Sequence, residues 1–259
     1  MPGLLYNGRH VDVPGLNIIS PGDEPWAKLD KGDFRSRPTK WIRQIMCHTT
    51  KGVWPQKILP GVGPAHRAKL VADFWRGDPQ HSAAPLVVGS DGIIACLADL
   101  FLIEAWHAGY SNPWSIGIEG YQEAGGGLYE AMLDSYVKLI VALCKLTGVQ
   151  FQIPKRAYNG HPMKRMLMGG PDMIGVFGHR DNTEDRGRGD PGEELFLRLV
   201  AAGAEQFDFE AGEDIAVWKT RQTDLIKQGY KLTSDGLPGP ATVAALKASG
   251  VPDGIWAFR

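Results

Sequence analysis

Residues 41–50 read WIRQIMCHTT, an apolar, β-rich run that ends in polar residues. Two further runs have the same character, SIGIEGYQ at 115–122 and IGVFGHRDN at 174–182. Each has the length of a buried strand and ends in small or polar residues, where a strand would leave its sheet. The three runs predict three strands of a β-sheet, and His48 and His179 lie at strand exits.

The segments between these runs predict a mixed α/β fold. PLVVGSDGIIACLAD at 85–99 contains two apolar strands around a Ser-Asp-Gly turn, which is a typical hairpin sequence. Apolar residues at helical spacing predict helices over 64–77, 128–148 and 192–207. We therefore expect a central mixed β-sheet flanked by helices, followed by a small C-terminal three-helix domain.

The length of 259 residues allows one well-buried domain of ~150 to 200 residues and a smaller second one. Residues 1–38 are rich in Gly, Pro and Asp, with a short strand candidate VDVPGLNIIS at 11–20, and predict an irregular N-terminal arm. This arm wraps on the main domain, which spans 39–207. The acidic stretch 208–214 predicts a linker, because the helical pattern restarts after it and continues over 215–259.

Composition argues against several partners. The formal net charge is -1 and the pI is about 6.7, so a general electrostatic attraction to nucleic acid or an anionic membrane is absent. No apolar run approaches the ~18 to 20 residues that span a bilayer, which predicts no membrane insertion. The first residues, MPGLLYNGRHVDVPG, lack the pattern of a signal peptide, so we expect synthesis in the cytoplasm.

The three cysteines, Cys47, Cys96 and Cys144, are widely spaced in apolar segments. This arrangement predicts reduced core residues rather than a disulfide framework. Cys47 is adjacent to His48, but neighbouring residues of a strand point to opposite faces of the sheet. The two side chains therefore cannot act together as a nucleophile and its base.

Two of the seven histidines stand out by position. His48 and His179 follow apolar strands among small or polar residues, and Asp190 lies in the Gly-rich turn RGRGDPG. Two imidazoles and one carboxylate suit a catalytic zinc with an open fourth position. Residue types alone do not separate this set from other combinations in the chain. Surface or loop positions are predicted for the histidines at 10, 66, 81 and 161.

Four motifs in order make the metal-binding interpretation specific. CHTTKG, AWHAGYS, SIGIEGY and GHRDN followed by RGRGDPG together resemble the type 2 N-acetylmuramoyl-L-alanine amidase family, which is related to the peptidoglycan recognition proteins. The resemblance covers about residues 40–205. It implies hydrolysis of the amide bond between N-acetylmuramic acid and L-alanine in bacterial peptidoglycan, with one Zn²⁺ per chain held by His48, His179 and Asp190.

The same resemblance implies catalytic roles for two more residues. Glu119 of the SIGIE strand corresponds to the proposed general base. Arg188, two places before the zinc aspartate, corresponds to the expected oxyanion stabiliser. The family usually has Lys or Thr at that position, and Arg differs in reach and donor geometry, so Arg186 is the alternative.

Substrate contacts are also implied. His107 matches a position lining the substrate groove of the family, and Trp106, Tyr110 and Thr49 are the other candidates for substrate binding. The alternative for the first two is a core tryptophan beside a histidine with satisfied hydrogen bonds. Where the family often has Ser-x-His-aromatic, this chain has SAAP at 82–85, which predicts a reshaped groove edge.

The C-terminal segment resembles the peptidoglycan-binding domain type 1 family, on the residues Gln222, Gly229, Tyr230, Asp235, Gly236 and the run GPAT at 239–242. It departs from that family at Arg221 and Pro238 and ends shortly after Lys247. The alternative is a small helical appendage docked on the main domain.

Together the resemblances imply a bacteriophage-type endolysin or tail-associated lysin whose partner is bacterial peptidoglycan. We expect a monomer or a component of a phage-like particle, held in the cytoplasm until a holin or the particle releases it. Two alternatives remain open. One is a non-catalytic peptidoglycan-recognition module, and the other is a cytosolic amidase that recycles muropeptides.

Overall fold

The computed structural model describes residues 3–50, 67–77, 81–123, 127–154, 174–182, 190–207, 215–234 and 240–249. In chain order its strands and helices are β1 (Leu4–Tyr6), β2 (Arg9–Val11), β3 (Ile18–Ile19), β4 (Phe34–Ser36), β5 (Gln44–Thr49), α1 (Arg67–Trp75), β6 (Leu86–Val88), β7 (Ile94–Cys96), β8 (Ile103–Ala105), β9 (Ser115–Gly120), α2 (Glu130–Thr147), β10 (Gln152–Pro154), β11 (Gly175–Gly178), α3 (His179–Asn182), α4 (Glu193–Ala201), β12 (Glu205–Phe207), α5 (Ile215–Lys227) and α6 (Pro240–Ala248). A 3-10 helix, Gly109–Trp114, precedes β9.

The central sheet has six strands in the order β11-β5-β9-β6-β7-β3. All neighbours are parallel except the β6 and β7 pair, which forms the predicted hairpin. The prediction of a mixed sheet flanked by helices is therefore confirmed. The three runs predicted as strands occupy adjacent positions as β11, which is an edge strand, β5 and β9.

The segment predicted as an irregular arm has more structure than expected. β1 and β2 form a hairpin, β3 joins the edge of the central sheet, and β4 pairs with β8. The carboxylate of Asp99 accepts backbone N–H bonds from both Asn7 and Gly8, which fastens the hairpin turn to the loop after β7. The strand candidate at 11–20 contains β3 and the last residue of β2, whereas β1 and β4 are so short that the sequence pattern did not reveal them.

One face of the sheet packs against α2 and α4. Alternate residues of β5 and β9 belong to this buried apolar cluster: Ile45, Cys47, Ile116 and Ile118. The matching stripe of α2 is fully buried and comprises Met132, Tyr136, Leu139, Ile140 and Leu143. All three cysteines are free and buried, as predicted.

Helix α2 ends where the sequence predicted, because Gly148 adopts the left-handed conformation at φ 77° and caps it. The helix predicted over 192–207 is shorter. α4 ends at Ala201, Gly203 turns the chain at φ 96°, and the last residues form β12 beside β10. α1 lies within the predicted 64–77 range, of which residues 64–66 lie outside the described part.

The C-terminal unit contains α5 and α6 in its described part. Gln222 donates from Nε2 to Thr242 Oγ1 at 3.2 Å, and both residues are buried between the helices. Leu225 and Leu246 are also buried. Among the described helices, none has the length and apolarity needed to cross a bilayer.

Candidate metal centre

The parallel pairing of β5 with β11 brings the two predicted metal ligands together. Gly178 is the register partner of Cys47. His48 and His179 are the next residues along these two neighbouring strands, so they lie at the same end of the sheet. His179 begins α3 immediately after β11. The Asp181 carboxylate accepts a hydrogen bond from the backbone N–H of Gly178 at 2.8 Å, which stabilises this strand-to-helix turn.

His48, His179 and Asp190 are buried, and their ligand atoms all lie within 4.8 Å of one another. The Nδ1 atoms of the two histidines are 2.9 Å apart, and His179 Nδ1 is 3.2 Å from Asp190 Oδ2. The structure thus brings together the three residues that the sequence singled out.

The position of Asp190 is fixed from two sides. Its Oδ1 accepts a hydrogen bond from the backbone N–H of Thr49 at 2.9 Å, which leaves Oδ2 directed toward His179. The following turn packs tightly on β11, since a Cβ at Gly178 would lie 2.9 Å from Pro191 Cδ. Glycine at 178 therefore permits the approach that places the carboxylate beside the histidines.

The donor set fits a zinc ion. Zinc in catalytic sites is commonly bound by three protein ligands of imidazole and carboxylate type, with one position left open. The converging atoms are Nδ1 of each histidine and Oδ2 of Asp190, while Oδ1 of Asp190 is held by the backbone of Thr49. The residues present are therefore suited to the cofactor that the sequence predicted.

Glu119 lies next to this set in the sheet. It is the register partner of His48 in the parallel β5 and β9 pair, so both side chains leave the same face. Glu119 is partly exposed, whereas His48 is buried. The carboxylate thus belongs to the strand that borders the metal-binding residues.

His107 contacts His48 on the side of the imidazole ring opposite His179. Its Nδ1 is 3.1 Å from His48 Nε2, and its Nε2 is 3.2 Å from Ser115 Oγ. Burial, together with repulsion from His179 and Arg37, lowers the pKa of His107 to about 3. The imidazole is neutral at pH 7, so one of its nitrogens is an acceptor.

The loop that carries His107 is held by buried polar groups. Asn112 Oδ1 accepts the backbone N–H bonds of His107 and Ala108 at 3.1 and 2.6 Å. The guanidinium of Arg37 donates to main-chain carbonyls around the loop, and burial lowers its pKa to about 10. These carbonyls belong to Leu100, Ile103, Asn112, Pro113 and Ser115.

Tyr136 of α2 supports the centre from beneath the sheet. Its buried hydroxyl donates to Ile118 O at 2.5 Å and accepts the backbone N–H of His48 at 3.1 Å. Burial raises the pKa of Tyr136 well above its usual value, so the group remains a neutral hydroxyl. It joins the helix to the two strands at the level of His48 and Glu119.

The remaining predicted site residues are placed as follows. Trp106 is partly exposed, donates from Nε1 to Gly32 O at 2.7 Å, and has the Arg35 guanidinium 5.0 Å from its ring centroid. Thr49 is buried and orients Asp190 through its backbone. Tyr110 lies in the 3-10 helix, but its side chain, like both Arg186 and Arg188, is outside the described residues.

With this geometry in place, comparison with known proteins identifies the family. Residues 37–193, more than half of the chain, match the N-acetylmuramoyl-L-alanine amidase family. The chain belongs to this amidase family. No curated protein matches the chain in sequence.

Similar solved structures include a selenomethionine derivative of AmpD, with 17% identity, coverage of 76% of this chain and 98% of that one, and a TM-score of 0.44. A mutant endolysin from Bacillus subtilis has 17% identity, coverage of 72% and 96%, and a TM-score of 0.46. The Drosophila peptidoglycan recognition protein SD has 16% identity, coverage of 74% and 98%, and a TM-score of 0.44.

Several residues around the centre of this amidase-family chain were missed by sequence reasoning. Ser115 and Gly117 lie in the SIGIE motif, of which only Glu119 was interpreted. Tyr136 was recognised as part of the apolar stripe of α2, but its hydroxyl contact was not foreseen. The motif itself was the available signal for the first two, whereas nothing in a regular helical stripe indicates a contact across the sheet.

Proposed function

We propose that this chain is a zinc-dependent N-acetylmuramoyl-L-alanine amidase that cleaves bacterial peptidoglycan between N-acetylmuramic acid and L-alanine. One observation carries the proposal. Buried His48, His179 and Asp190 converge within 4.8 Å, and Glu119 lies in register beside His48. Membership of the amidase family supports the same activity.

In the proposed reaction the oxygen of a water molecule bonds to the amide carbonyl carbon, and the bond from that carbon to nitrogen breaks. Glu119 takes a proton from the water and passes it to the leaving nitrogen. Arg188 stabilises negative charge on the carbonyl oxygen, with Arg186 as the alternative. Zinc, when bound by the triad, polarises the carbonyl and lowers the pKa of water to ~7.

Substrate is proposed to lie over the same face of the sheet. Trp106 is partly exposed one residue before His107, so its ring is available to contact sugar or peptide. Tyr110 and Thr49 complete the proposed contact set from the sequence. The reshaped edge predicted at 82–85 is consistent with burial of both Ala83 and Ala84, neither of which offers a polar contact.

A second candidate is a peptidoglycan-recognition module without catalysis. The burial of a complete His-His-Asp set beside a strand glutamate favours the enzyme, because a binding groove does not require metal ligands to converge. A cytosolic muropeptide-recycling amidase is the third candidate, and the additional C-terminal unit argues for an insoluble wall as substrate instead.

The experiment is product analysis of purified peptidoglycan incubated with the zinc-loaded protein. An amidase produces new L-Ala amino termini and leaves the muramic acid intact. A recognition module would cosediment with the wall and release neither. Soluble muropeptides compared with intact wall in the same assay separate the recycling enzyme from the wall-degrading one.

We propose further that residues 215–259 are a peptidoglycan-binding domain and that the protein is an endolysin or tail-associated lysin of phage type. The buried Gln222 and Thr242 pair supports a folded helical unit. Tethering raises the effective concentration of a catalytic domain at an insoluble wall. A truncation ending near residue 210 should cleave soluble muropeptides normally and intact walls more slowly, and equal rates on intact walls would make the unit an appendage.

A further inference from the structure

The imidazole of His107 lies against the metal centre without belonging to the converging set. It contacts the nitrogen of His48 that faces away from His179, Nε2, at 3.1 Å. The two rings are almost perpendicular, at 88°. One nitrogen of His48 therefore faces the other ligands while the second faces His107.

Hydrogen-bond directions fix the protons in this chain of groups. The Ser115 hydroxyl has one proton, which it donates to Ser111 O at 2.6 Å. Ser115 Oγ consequently accepts from His107 Nε2, which must carry the proton of that ring. Nδ1 of His107 is then a bare acceptor.

The proton position on His107 determines the proton position on the metal ligand His48. The unprotonated Nδ1 of His107 accepts a hydrogen bond from the Nε2–H group of His48, so His48 carries its proton on Nε2 and has none on Nδ1. A neutral imidazole with Nδ1 free is the form that binds a metal through that atom. The carbonyl of Ser111, a main-chain atom that can only accept, thereby sets the tautomer of His48 through two intervening side chains.

The position of the His107 ring is built into β9. A Cβ on Gly117 would lie 2.5 Å from His107 Cγ and 2.6 Å from Nδ1, so the ring sits where a side chain would otherwise stand. Its backbone is held by Asn112, as described above. The ring therefore has one place on the sheet, between Ser115 and His48.

We propose that His107, acting with Ser115, is a positioning residue that fixes the tautomer and the ring orientation of the metal ligand His48. This inference rests on the proposed zinc function. It differs from the sequence prediction that His107 lines the substrate groove. Loss of a groove contact raises KM and leaves zinc affinity unchanged, whereas loss of a positioning contact weakens zinc binding.

The test compares zinc affinity among variants of the full chain, by competition with a chelator. His107→Phe keeps a planar ring without an acceptor, and we expect its zinc Kd to rise ~10- to 100-fold. His107→Asn restores an oxygen acceptor near Nδ1 and should recover part of the loss. Ser115→Ala removes the acceptor that holds the proton of His107 on Nε2, so the zinc Kd of this variant should also rise. His10→Phe, on β2, is the matched control and should bind zinc as the wild type does.

A second measurement records the visible absorption of the cobalt-substituted proteins, which reports ligand geometry independently of activity. We expect altered bands in His107→Phe and a spectrum closer to wild type in His107→Asn. Should His107→Phe fail to fold, Ser115→Ala and His107→Asn carry the same comparison.

Three results would overturn the inference. Unchanged zinc Kd and cobalt spectra in folded His107→Phe and Ser115→Ala, with or without a raised KM, would remove the positioning role and leave the proposed function intact. Two zinc ions in the wild type and one in His107→Phe would make His107 a ligand. A wild type that binds no zinc would refute the proposed function itself, and this inference with it.

Discussion

The two faces of the central sheet use the same strands for different purposes. Toward α2 and α4, β5 and β9 present the apolar side chains of the core, among them Cys47 and Ile118. Toward the opposite face they present His48 and Glu119, which are partners in register. Because side chains alternate along a strand, one residue separates packing from chemistry. Substitutions on the second face should therefore affect metal binding and turnover, and those on the first should affect stability.

The largest effect is expected for Glu119→Gln, on the face that carries the metal-binding residues. The variant keeps nearly the shape of the side chain but cannot accept a proton from water, so kcat should fall ~10²- to 10⁴-fold with little change in KM. Zinc content and melting temperature should stay at wild-type values. Steady-state kinetics on soluble muropeptides, with exposed Glu205→Gln of β12 as the control, provide the measurement. Near-normal turnover with zinc bound would place the base elsewhere.

A smaller effect, and of the opposite kind, is expected for Tyr136→Phe on the packing face. The change leaves the backbone N–H of His48 without its hydroxyl partner, at a cost of about 1 to 3 kcal/mol in the free energy of unfolding. Zinc stoichiometry should remain unchanged. Denaturant unfolding of this variant and of Tyr129→Phe, a partly exposed tyrosine at the start of α2, makes the comparison. A Tyr136→Phe variant as stable as the wild type would show that the hydroxyl contributes nothing.

The smallest expected effect concerns the three buried cysteines, which should not react with a thiol reagent in the native protein. Burial raises the pKa values of the Cys96 and Cys144 thiols to about 12, and Cys47 is buried as well. Because the pKa of each thiol is higher in the folded protein, its contribution to stability is complete below pH 9.0, the pKa in the unfolded chain. That contribution is lost as the pH rises from there to about 12, the pKa in the folded protein. At pH 8 the native protein should therefore not react with a thiol reagent, and the denatured protein should show three thiols. Fast labelling of Cys47 in the native protein would show that the face of β5 toward α2 is exposed to solvent, which would contradict its place in the core.

The parts of the fold that sequence could predict are those with a local signal. Long periodic segments such as α2 and the apolar runs of β5, β9 and β11 were identified, and the ordered motifs selected His48, His179 and Asp190. The short strands of the N-terminal segment carry too few residues for a periodic pattern. The end of α4 was placed too late, although Gly203, where the chain turns before β12, was an available local stop signal.

The surroundings of the site depend on contacts between distant residues. His107 and Ser115 are close in sequence, yet their roles follow only from the proximity of His48, which lies 59 residues before His107. Tyr136 reaches His48 across 88 residues and through the sheet. A tautomer determined by a chain of donors and acceptors has no sequence pattern, so only the folded arrangement reveals it.

The most direct test of the central claim is the metal content of the purified chain and of Asp190→Ala, measured by elemental analysis after exhaustive dialysis. The wild type should retain about one Zn²⁺ per chain, and Asp190→Ala should lose it, because two remaining protein ligands are too few to hold the ion. Asp134→Ala, an exposed change on α2, should keep the zinc. Full zinc occupancy and amidase activity in Asp190→Ala would contradict the assignment of the metal centre.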